Sequence, residues 1–260
     1  MRKLLFLLAV VGLLFTACKK KDDGGDENSL NPTATQNGFA INYTATWCGH
    51  CGDWGAPLIH DYATAAPNGV AICAHASGDP MNNQLYSSFT ADRTTGGGIP
   101  SFWVGDTKTT DGGAMQGLLN QASPCGVDYT YSVAEGVMTI DTKTKFFSAA
   151  QGDFYLSVLV LEDGINGNST AGQYKQGGTS SSYPNDDYHH DFVLRASSVT
   201  GNAYGALIAQ NPAVDFEVEK SYTINVDGSW VNPYAVCIIW KLDASGTPQY
   251  KFVNSLKKKN

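Results

Sequence analysis

The 260-residue sequence has no apolar run long enough to cross a membrane. A spanning helix needs about 18 consecutive apolar residues, and the apolar run at residues 4–15 is shorter. Because Arg2 and Lys3 precede this run and the small residue Ala17 ends it, the pattern predicts a signal peptide over residues 1–17. We therefore expect an exported protein.

The sequence also has little positive charge. Lys and Arg together number 17 against 24 Asp and Glu, which gives a net charge of −7. Nucleic acid requires a basic surface, and lysines are consecutive only at residues 19–21 and 257–259. This composition argues against nucleic acid as a partner, and we expect the second run to be a solubilising tail.

A second close pair of metal ligands is missing as well. Six cysteines are present, but only Cys48 and Cys51 have C-x-x-C spacing. Zinc sites of this type need another nearby Cys or His pair. A redox pair is therefore favoured over half a zinc site or an inert structural disulfide, and we expect neither a metal nor a cofactor. In an oxidising compartment the remaining cysteines allow at most one further disulfide, and Cys73 and Cys237, in apolar strands, are expected to be packed thiols.

The Cys48-Gly49-His50-Cys51 segment follows a strand-like run at residues 39–43 and precedes a helix-like segment. Unpaired N–H groups and the positive dipole end of a first helical turn stabilise a thiolate. Cys48 is therefore the expected nucleophile. Cys51 is expected to attack the mixed disulfide and release the partner. An imidazolium at His50 would stabilise the thiolate further and make the disulfide more oxidising.

Residues 43–51 read Tyr-Thr-Ala-Thr-Trp-Cys-Gly-His-Cys, which resembles the active-site run of protein disulfide isomerases. Residues 98–102 resemble the Ile-Pro element of thioredoxins, in which the proline is cis and the backbone before it pairs with an extended substrate. An ordinary X-Pro turn is the alternative. The resemblance to the thioredoxin superfamily implies these catalytic-site residues: Trp47, Cys48, His50, Cys51, Ile99 and Pro100.

Two positions depart from the family pattern. Many thioredoxins and disulfide isomerases carry a buried carboxylate six residues before the first cysteine, where it assists proton transfer at the second sulfur. This sequence has Asn42 there, and an amide cannot act as a general base. Pro57 resembles the helix-kinking proline that follows the motif, but it lies one position later than usual.

The pattern of elements changes near residue 125. Strands and helices alternate over residues 38–124, which predicts an α/β domain with helices on the faces of a sheet. The resemblance described above implies that this domain is thioredoxin-like. Residues 125–260 contain about seven short strand patterns without helices, which predict an all-β, immunoglobulin-like sandwich domain. Residues 18–37 are polar and predict a flexible tether. The predicted strands are 39–43, 69–75, 101–105, 129–134, 137–143, 154–162, 192–196, 214–226, 235–242 and 250–255, and the predicted helices are 53–66, 82–91 and 114–122.

Two further clusters have alternative interpretations. Residues 186–191 combine Asp and His side chains that are able to bind a divalent cation, although a solvated loop is the favoured interpretation. Trp47, Trp54 and Phe102 are candidates for an apolar collar around the disulfide that receives unfolded chains, and packing in the core is an equally good interpretation.

Ala17-Cys18 ends the signal segment in a way that resembles a bacterial lipobox, which implies a lipidated Cys18. A plain signal peptide followed by a free thiol is the alternative. The whole arrangement resembles a family of Gram-negative outer-membrane lipoproteins with a thioredoxin-like half and a β-sandwich half. That resemblance implies a place in the cell envelope, on the outer membrane, facing either the periplasm or the surface.

The expected function is that of a membrane-anchored, extracytoplasmic thiol-disulfide oxidoreductase. Its expected partners are exported proteins with thiols or disulfides and a membrane redox partner. The alternative is a non-enzymatic surface or adhesion lipoprotein. In that case the thioredoxin-like domain is a binding module, and the cysteine pair is a stable staple.

Overall fold

The protein is described here by a computed structural model that covers residues 29–179 and 184–258. The predicted signal peptide, Cys18 and residues 18–28 of the predicted tether lie outside these ranges. The strands are β1 Phe39–Thr44, β2 Val70–His75, β3 Ser101–Val104, β4 Thr107–Lys108, β5 Cys125–Ala134, β6 Val137–Phe146, β7 Asp153–Asp163, β8 Ile165–Asn166, β9 His189–His190, β10 Val193–Ser197, β11 Ala206–Gln210, β12 Glu217–Asn225, β13 Asn232–Leu242 and β14 Tyr250–Lys257. The helices are α1 Ala56–Ala65, α2 Gln84–Asp92 and α3 Ala114–Leu119.

Strand β1 lies between β2 and β3 and is buried along its whole length. It runs parallel to β2, with Ile41 opposite Ile72, and antiparallel to β3. Alternate side chains of β1 enter two cores, one shared with α1 and α3 and the other with α2. A strand that is covered on both faces reads as a continuous apolar run, which is why this segment was predictable from sequence.

The C-terminal part consists of two β layers. Strands β5, β6 and β12 form an antiparallel sheet, and β7, β13 and β14 form the facing layer. Tyr129 and Ile140 from the first layer share a core with Val158 and Cys237 from the second. The C-terminal part thus has two packed β layers, together with β8, β9 and β11, strands that the sequence did not indicate.

The two parts share one sheet, so the expected division at residue 124 is not a break between separate bodies. The order in the large sheet is β14-β13-β7-β10-β2-β1-β3-β4, and β11 also pairs with β7. Strand β10 is parallel to β2 through Val193 and Cys73, and the Cys73 N–H donates to the Phe192 carbonyl at 2.8 Å. A strand pattern in the sequence reveals the strand but not its neighbour, so this junction was not predictable.

Part of the predicted tether is fixed to the folded chain. The Asn37 N–H donates to Asn254 Oδ1 at 2.9 Å, and Asn254 Nδ2 donates to the Thr35 carbonyl at 3.0 Å. The expectation of a flexible segment is therefore wrong for residues 31–37, because their polar groups bind β14 and, through the Asn31 N–H and Asp128 Oδ2, β5. Lys258, expected in a solvated tail, forms an ion pair with Asp128. Along the ranges given above, no helix has the length and apolarity needed to cross a membrane.

A buried arginine ties the end of α2 to β14. Arg93 donates to Asp92 at 3.0 Å, to Asp106 at 2.7 Å and to the Tyr250 carbonyl at 2.6 Å. Its guanidinium carbon lies 4.7 Å from the centre of the Trp240 ring. These contacts satisfy a charge that is otherwise costly to bury.

We predict that Arg93→Met lowers the free energy of unfolding by about 3–5 kcal/mol, because it leaves two partly buried carboxylates without their cation. Urea denaturation provides the measurement. Lys145→Met is the matched control, since Lys145 pairs with Asp215 and Glu217 at the surface. We expect this control to unfold at nearly the wild-type urea concentration. Equal midpoints for both variants would contradict the role given to Arg93.

Candidate active site around Cys48 and Cys51

The two cysteines of the C-x-x-C motif lie just beyond the end of β1 and form a disulfide with a Cα–Cα distance of 5.2 Å. Cys48 is 8% exposed and Cys51 is 1% exposed. Cys48 is thus the sulfur that a partner can reach more easily. Cys51 faces the interior.

A backbone donor points at the more exposed sulfur. The Cys51 N–H donates to Cys48 Sγ at 3.2 Å, in the first turn of the helical segment. A hydrogen bond to the charged form of an acid favours that form. In the dithiol state, this donor and the helix N-terminus would therefore stabilise a thiolate at Cys48.

The peptide bond between Ile99 and Pro100 is cis, as the Ile-Pro motif indicated. The Ile99 carbonyl oxygen lies 3.7 Å from Cys48 Sγ. On the other side, a Cβ atom placed on Gly55 would lie only 3.0 Å from Cβ of Pro100. The helical segment and the proline loop therefore pack directly on each other, with the disulfide between them.

The late position of Pro57 has a structural reason. Cys51–Gly55 form a π-helical turn, in which the Ala56 N–H donates to the Cys51 carbonyl, and α1 follows with Pro57 in its first turn. A π turn accommodates one more residue than an α turn, and such turns are frequent at functional sites. The extra residue thus widens the turn that holds Cys51.

An open groove of about 580 Å³ runs beside the proline loop. Its walls include His50, Trp54, Lys108 and residues of the segment 98–102. Trp54 is 39% exposed and stacks near Phe102, with 5.8 Å between ring centres. Trp47 is 59% exposed, whereas Phe102 is buried. Two of the three aromatic residues thus border the motif at the surface, and the third belongs to the core.

The C-terminal part supplies a second wall. We call Gln176, Gly177 and Gly178 the strap. Gln176 Nε2 donates to the Cys48 carbonyl at 2.9 Å, and the Gly177 N–H donates to the Thr46 carbonyl at 2.6 Å. No strand or helix was predicted here, and this contact was missed. The Gly177-Gly178 pair is the sequence feature that could have indicated this contact, because Gly178 has a φ of +78° and approaches Gly49 and Gly52 closely.

Behind Cys51 lies a small polar cavity of about 10 Å³, lined by Asn42, Cys51, Cys73, His75 and His190 among others. Asn42 is buried, and its Oδ1 has no hydrogen-bond partner among the described residues. Burial and nearby carboxylates raise the pKa of the Cys73 thiol, against a hydrogen bond from Asn42. Cys73 and Cys237 are buried free thiols, as expected, and so is Cys125.

His75 lines another wall of this cavity and has Asp79 beside it, a pair that the sequence did not reveal. His75 Nδ1 lies 3.0 Å from Asp79 Oδ1, although the ring is turned away from the ideal hydrogen-bond direction. Burial raises the pKa of Asp79, but His75 and the N–H groups of Thr46 and Met81 outweigh burial and hold it well below its usual range. Asp79 is therefore ionised.

The acidic and histidine-rich segment 186–191 divides into exposed and buried residues. Asp187 and His189 form an exposed ion pair at 3.6 Å, in keeping with a solvated loop. That interpretation is wrong for His190, which is buried with Nε2 2.8 Å from the Tyr174 carbonyl. Burial, followed by the charge of His75, lowers the pKa of His190 to about 4. Within the described ranges, no group of three His, Cys, Asp or Glu residues has the arrangement of a metal site.

We predict that Gly52→Ala displaces the strap, because the new Cβ would overlap the Gly178 carbonyl oxygen. Overpacking of this kind costs about 1–3 kcal/mol. The Gly177 amide should then exchange its hydrogen faster, as measured by NMR. Gly49→Ala is the matched control, since its Cβ would lie 3.7 Å from the Gly177 oxygen, an ordinary contact. If both variants exchange at the wild-type rate, the strap is not packed on the motif.

Comparison with known proteins gives a structural neighbour but no sequence family. No family model matches the chain, and no curated protein matches it. Among solved structures, HBP35 of Porphyromonas gingivalis is similar, with a TM-score of 0.64 and 18% sequence identity. The match covers 86% of this chain and 75% of that chain. This likeness supports a thioredoxin-like fold joined to a β-rich C-terminal part, and at such low identity it carries no statement about activity.

Proposed function

We propose that the protein is a membrane-anchored, extracytoplasmic thiol-disulfide oxidoreductase that acts on exported proteins. The observation that carries this proposal is the Cys51 N–H aimed at Sγ of Cys48, the more exposed sulfur of the pair. The cis proline and the open groove along the proline loop support it, because an extended partner chain needs a backbone to pair with and room to lie in.

The reaction proceeds by two exchanges of sulfur bonds. The Cys48 thiolate attacks a disulfide of the partner, so that a mixed disulfide forms and one partner sulfur leaves as a thiolate. Cys51 then attacks Cys48 Sγ, forms the internal disulfide and releases the second partner sulfur. The partner gains two electrons, and the cysteine pair loses two. The reverse sequence oxidises a partner dithiol.

The residues around the pair have separate roles in this proposal. His50 is exposed at the start of the helical segment, where a positive charge favours the Cys48 thiolate. Trp47 and Trp54 offer apolar surface to a partner, and the backbone at Ile99 and Pro100 holds its chain beside the disulfide. A membrane redox partner is expected to return the pair to its starting state.

We predict that Cys51→Ser accumulates mixed disulfides with exported proteins, because Cys48 still attacks but nothing resolves the product. Cys48→Ser is the matched control and should trap far fewer partners, since Cys51 is buried. Non-reducing electrophoresis of envelope fractions, with and without dithiothreitol, provides the measurement. Equal trapping by both variants would contradict the assigned order of attack.

A specific observation favours a second candidate, a non-enzymatic binding module. Both sulfurs are largely buried, and the strap covers one side of the motif, as expected for a disulfide that serves only as a staple. Exposed apolar side chains on the C-terminal part, such as Val214 and Phe216, offer contact surface. In that case neither cysteine variant traps partners, and the loss of the disulfide lowers stability alone.

The location and the finer architecture belong to the same proposal. We assign Cys18 as the lipid-bearing residue of an outer-membrane lipoprotein. We also infer that the sandwich is immunoglobulin-like. Strands β5, β6 and β12 form one layer. In the other layer β7 pairs with β13, and β13 pairs with β14, which is the strand order of an immunoglobulin-like sandwich. In this chain the second layer continues into the thioredoxin-like sheet.

We predict that Cys18→Ser moves the protein from the membrane fraction to the soluble periplasm, because it removes the acceptor of the lipid. Fractionation followed by immunoblotting measures the shift, and an unchanged urea midpoint serves as the control for folding. An unmodified Cys18 in the mature wild-type protein, detected by mass spectrometry, would rule out the assignment.

A further inference from the structure

The second sulfur of the proposed reaction has a problem of proton transfer. Cys51 must lose its proton to become a nucleophile, yet it is 1% exposed and has little access to bulk water. Asn42 occupies the position at which related enzymes carry a buried acid, and an amide does not accept a proton at neutral pH. The proton must therefore leave through another group.

The small cavity behind Cys51 provides a route. Its volume of about 10 Å³ is close to the room that one water molecule needs. Three buried polar atoms on its lining residues, Asn42 Oδ1 and both ring nitrogens of His75, have no hydrogen-bond partner among the described residues. Buried polar atoms of this kind are usually satisfied by ordered water. A water molecule here would have polar partners on several sides.

The charge of Asp79 favours proton acceptance by His75, although the imidazole is turned away from the ideal hydrogen-bond direction. Its ionised carboxylate lies 3.0 Å from Nδ1 of His75, which favours the tautomer with the proton on Nδ1. Nε2 then carries a lone pair. A base that is held by a third group is the general arrangement that activates a nucleophile.

We propose that His75, with Asp79 beside it, accepts the Cys51 proton through one water molecule in this cavity when Cys51 resolves the mixed disulfide. The inference rests on the function proposed above. The base that the sequence lacks at position 42 is thus supplied from the end of β2, the neighbouring strand.

The proton and the electrons balance in this step. The Cys51 S–H bond breaks, and its proton passes to the water, which gives a proton to His75 Nε2. The Cys51 thiolate forms the bond to Cys48 Sγ as the bond between Cys48 and the partner breaks. The partner leaves as a thiolate and takes a proton from solvent, and the imidazolium returns its proton to solvent afterwards.

Other titratable groups face the same cavity, but each is less suited to accept the proton. The pKa of His190 is lowered to about 4, and its Nε2 is engaged with the Tyr174 carbonyl. Burial raises the pKa of Cys73 and keeps it a thiol. His60 and Asp191 form a pair at 3.6 Å on the partly exposed side. Two titratable side chains remain: His189 pairs with Asp187 at the surface, and Tyr188 packs against the His190 ring, with 5.0 Å between ring centres.

The test uses the reduced protein and glutathione disulfide, with samples quenched in acid and weighed by intact mass spectrometry. The first step forms a glutathione adduct at Cys48, and the second step removes it. We expect His75→Gln to form the adduct within about twofold of the wild-type rate. Its decay at pH 7 should be about 100-fold slower, the lower end of what general bases contribute. The difference should shrink at alkaline pH, where Cys51 ionises without a base.

His60→Gln is the matched control, because the same change is made at another histidine of the cavity wall. It should leave both steps unchanged. The inference is overturned if His75→Gln slows both steps alike, if adduct decay is unchanged, or if His60→Gln has the same effect. If the wild-type protein never forms the adduct, the proposed function falls, and this inference falls with it.

If His75→Gln fails to fold, measurements on the wild-type protein test the inference instead. NMR titration of the His75 imidazole gives the pH range in which Nε2 becomes protonated. Adduct decay should slow as the pH falls through that range. A decay rate that is constant across the titration of His75 overturns the inference, whereas adduct formation in the same samples shows that the proposed function stands.

Discussion

The pairing of β10 with β2 is the contact on which the rest of the structure depends. The Cys73 N–H donates to the Phe192 carbonyl at 2.8 Å, and the Phe192 N–H donates in turn to Asp163 Oδ1 at 2.7 Å. This short ladder turns two sheets into one and covers an edge of β2 that would otherwise remain open. It also places the segment before β10, with His190, directly behind Cys51. The active-site cavity thus exists because the C-terminal part completes the sheet.

The junction gives the two sulfurs different surroundings. Cys48 lies against Ile99, a wall of the open groove, and receives a backbone hydrogen bond, so in the proposed reaction its thiolate is stabilised close to where a partner lies. Cys51 faces a polar cavity that is closed by residues from both parts of the chain. Buried polar groups are tolerated only with partners, so this cavity must be organised around hydrogen bonds. In the proposed reaction, the partner therefore meets the Cys48 side of the disulfide, and the proton leaves from the Cys51 side.

The sequence predicted the strands and motifs that depend on local residue patterns. The strands 137–143 and 154–162 correspond to Val137–Phe146 and Asp153–Asp163, because apolar patterning follows a strand wherever its neighbours lie. The C-x-x-C motif of Cys48 and Cys51 is local as well, and the cis bond before Pro100 was implied by the resemblance of residues 98–102 to thioredoxins. The strap and the junction of β2 with β10 depend on contacts between segments that are far apart in the sequence. The pairing of His75 with Asp79 depends on how the chain turns after the end of β2. For these, the sequence showed only a Gly-Gly pair and a His and Asp four residues apart.

The amide at position 42 is consistent with the charges already around the cavity. Asp191 and Asp163 lie close enough to help raise the pKa of the Cys73 thiol, after burial itself. Another carboxylate at position 42 would add a like charge to this region, and like charges that share a buried site disfavour ionisation of one another. Asp79 avoids this cost, because two backbone N–H groups and His75 surround it. In the proposed reaction, an uncharged side chain beside Cys73, with the anion held after the end of β2, therefore avoids concentrating negative charge near Cys51, the sulfur that becomes an anion.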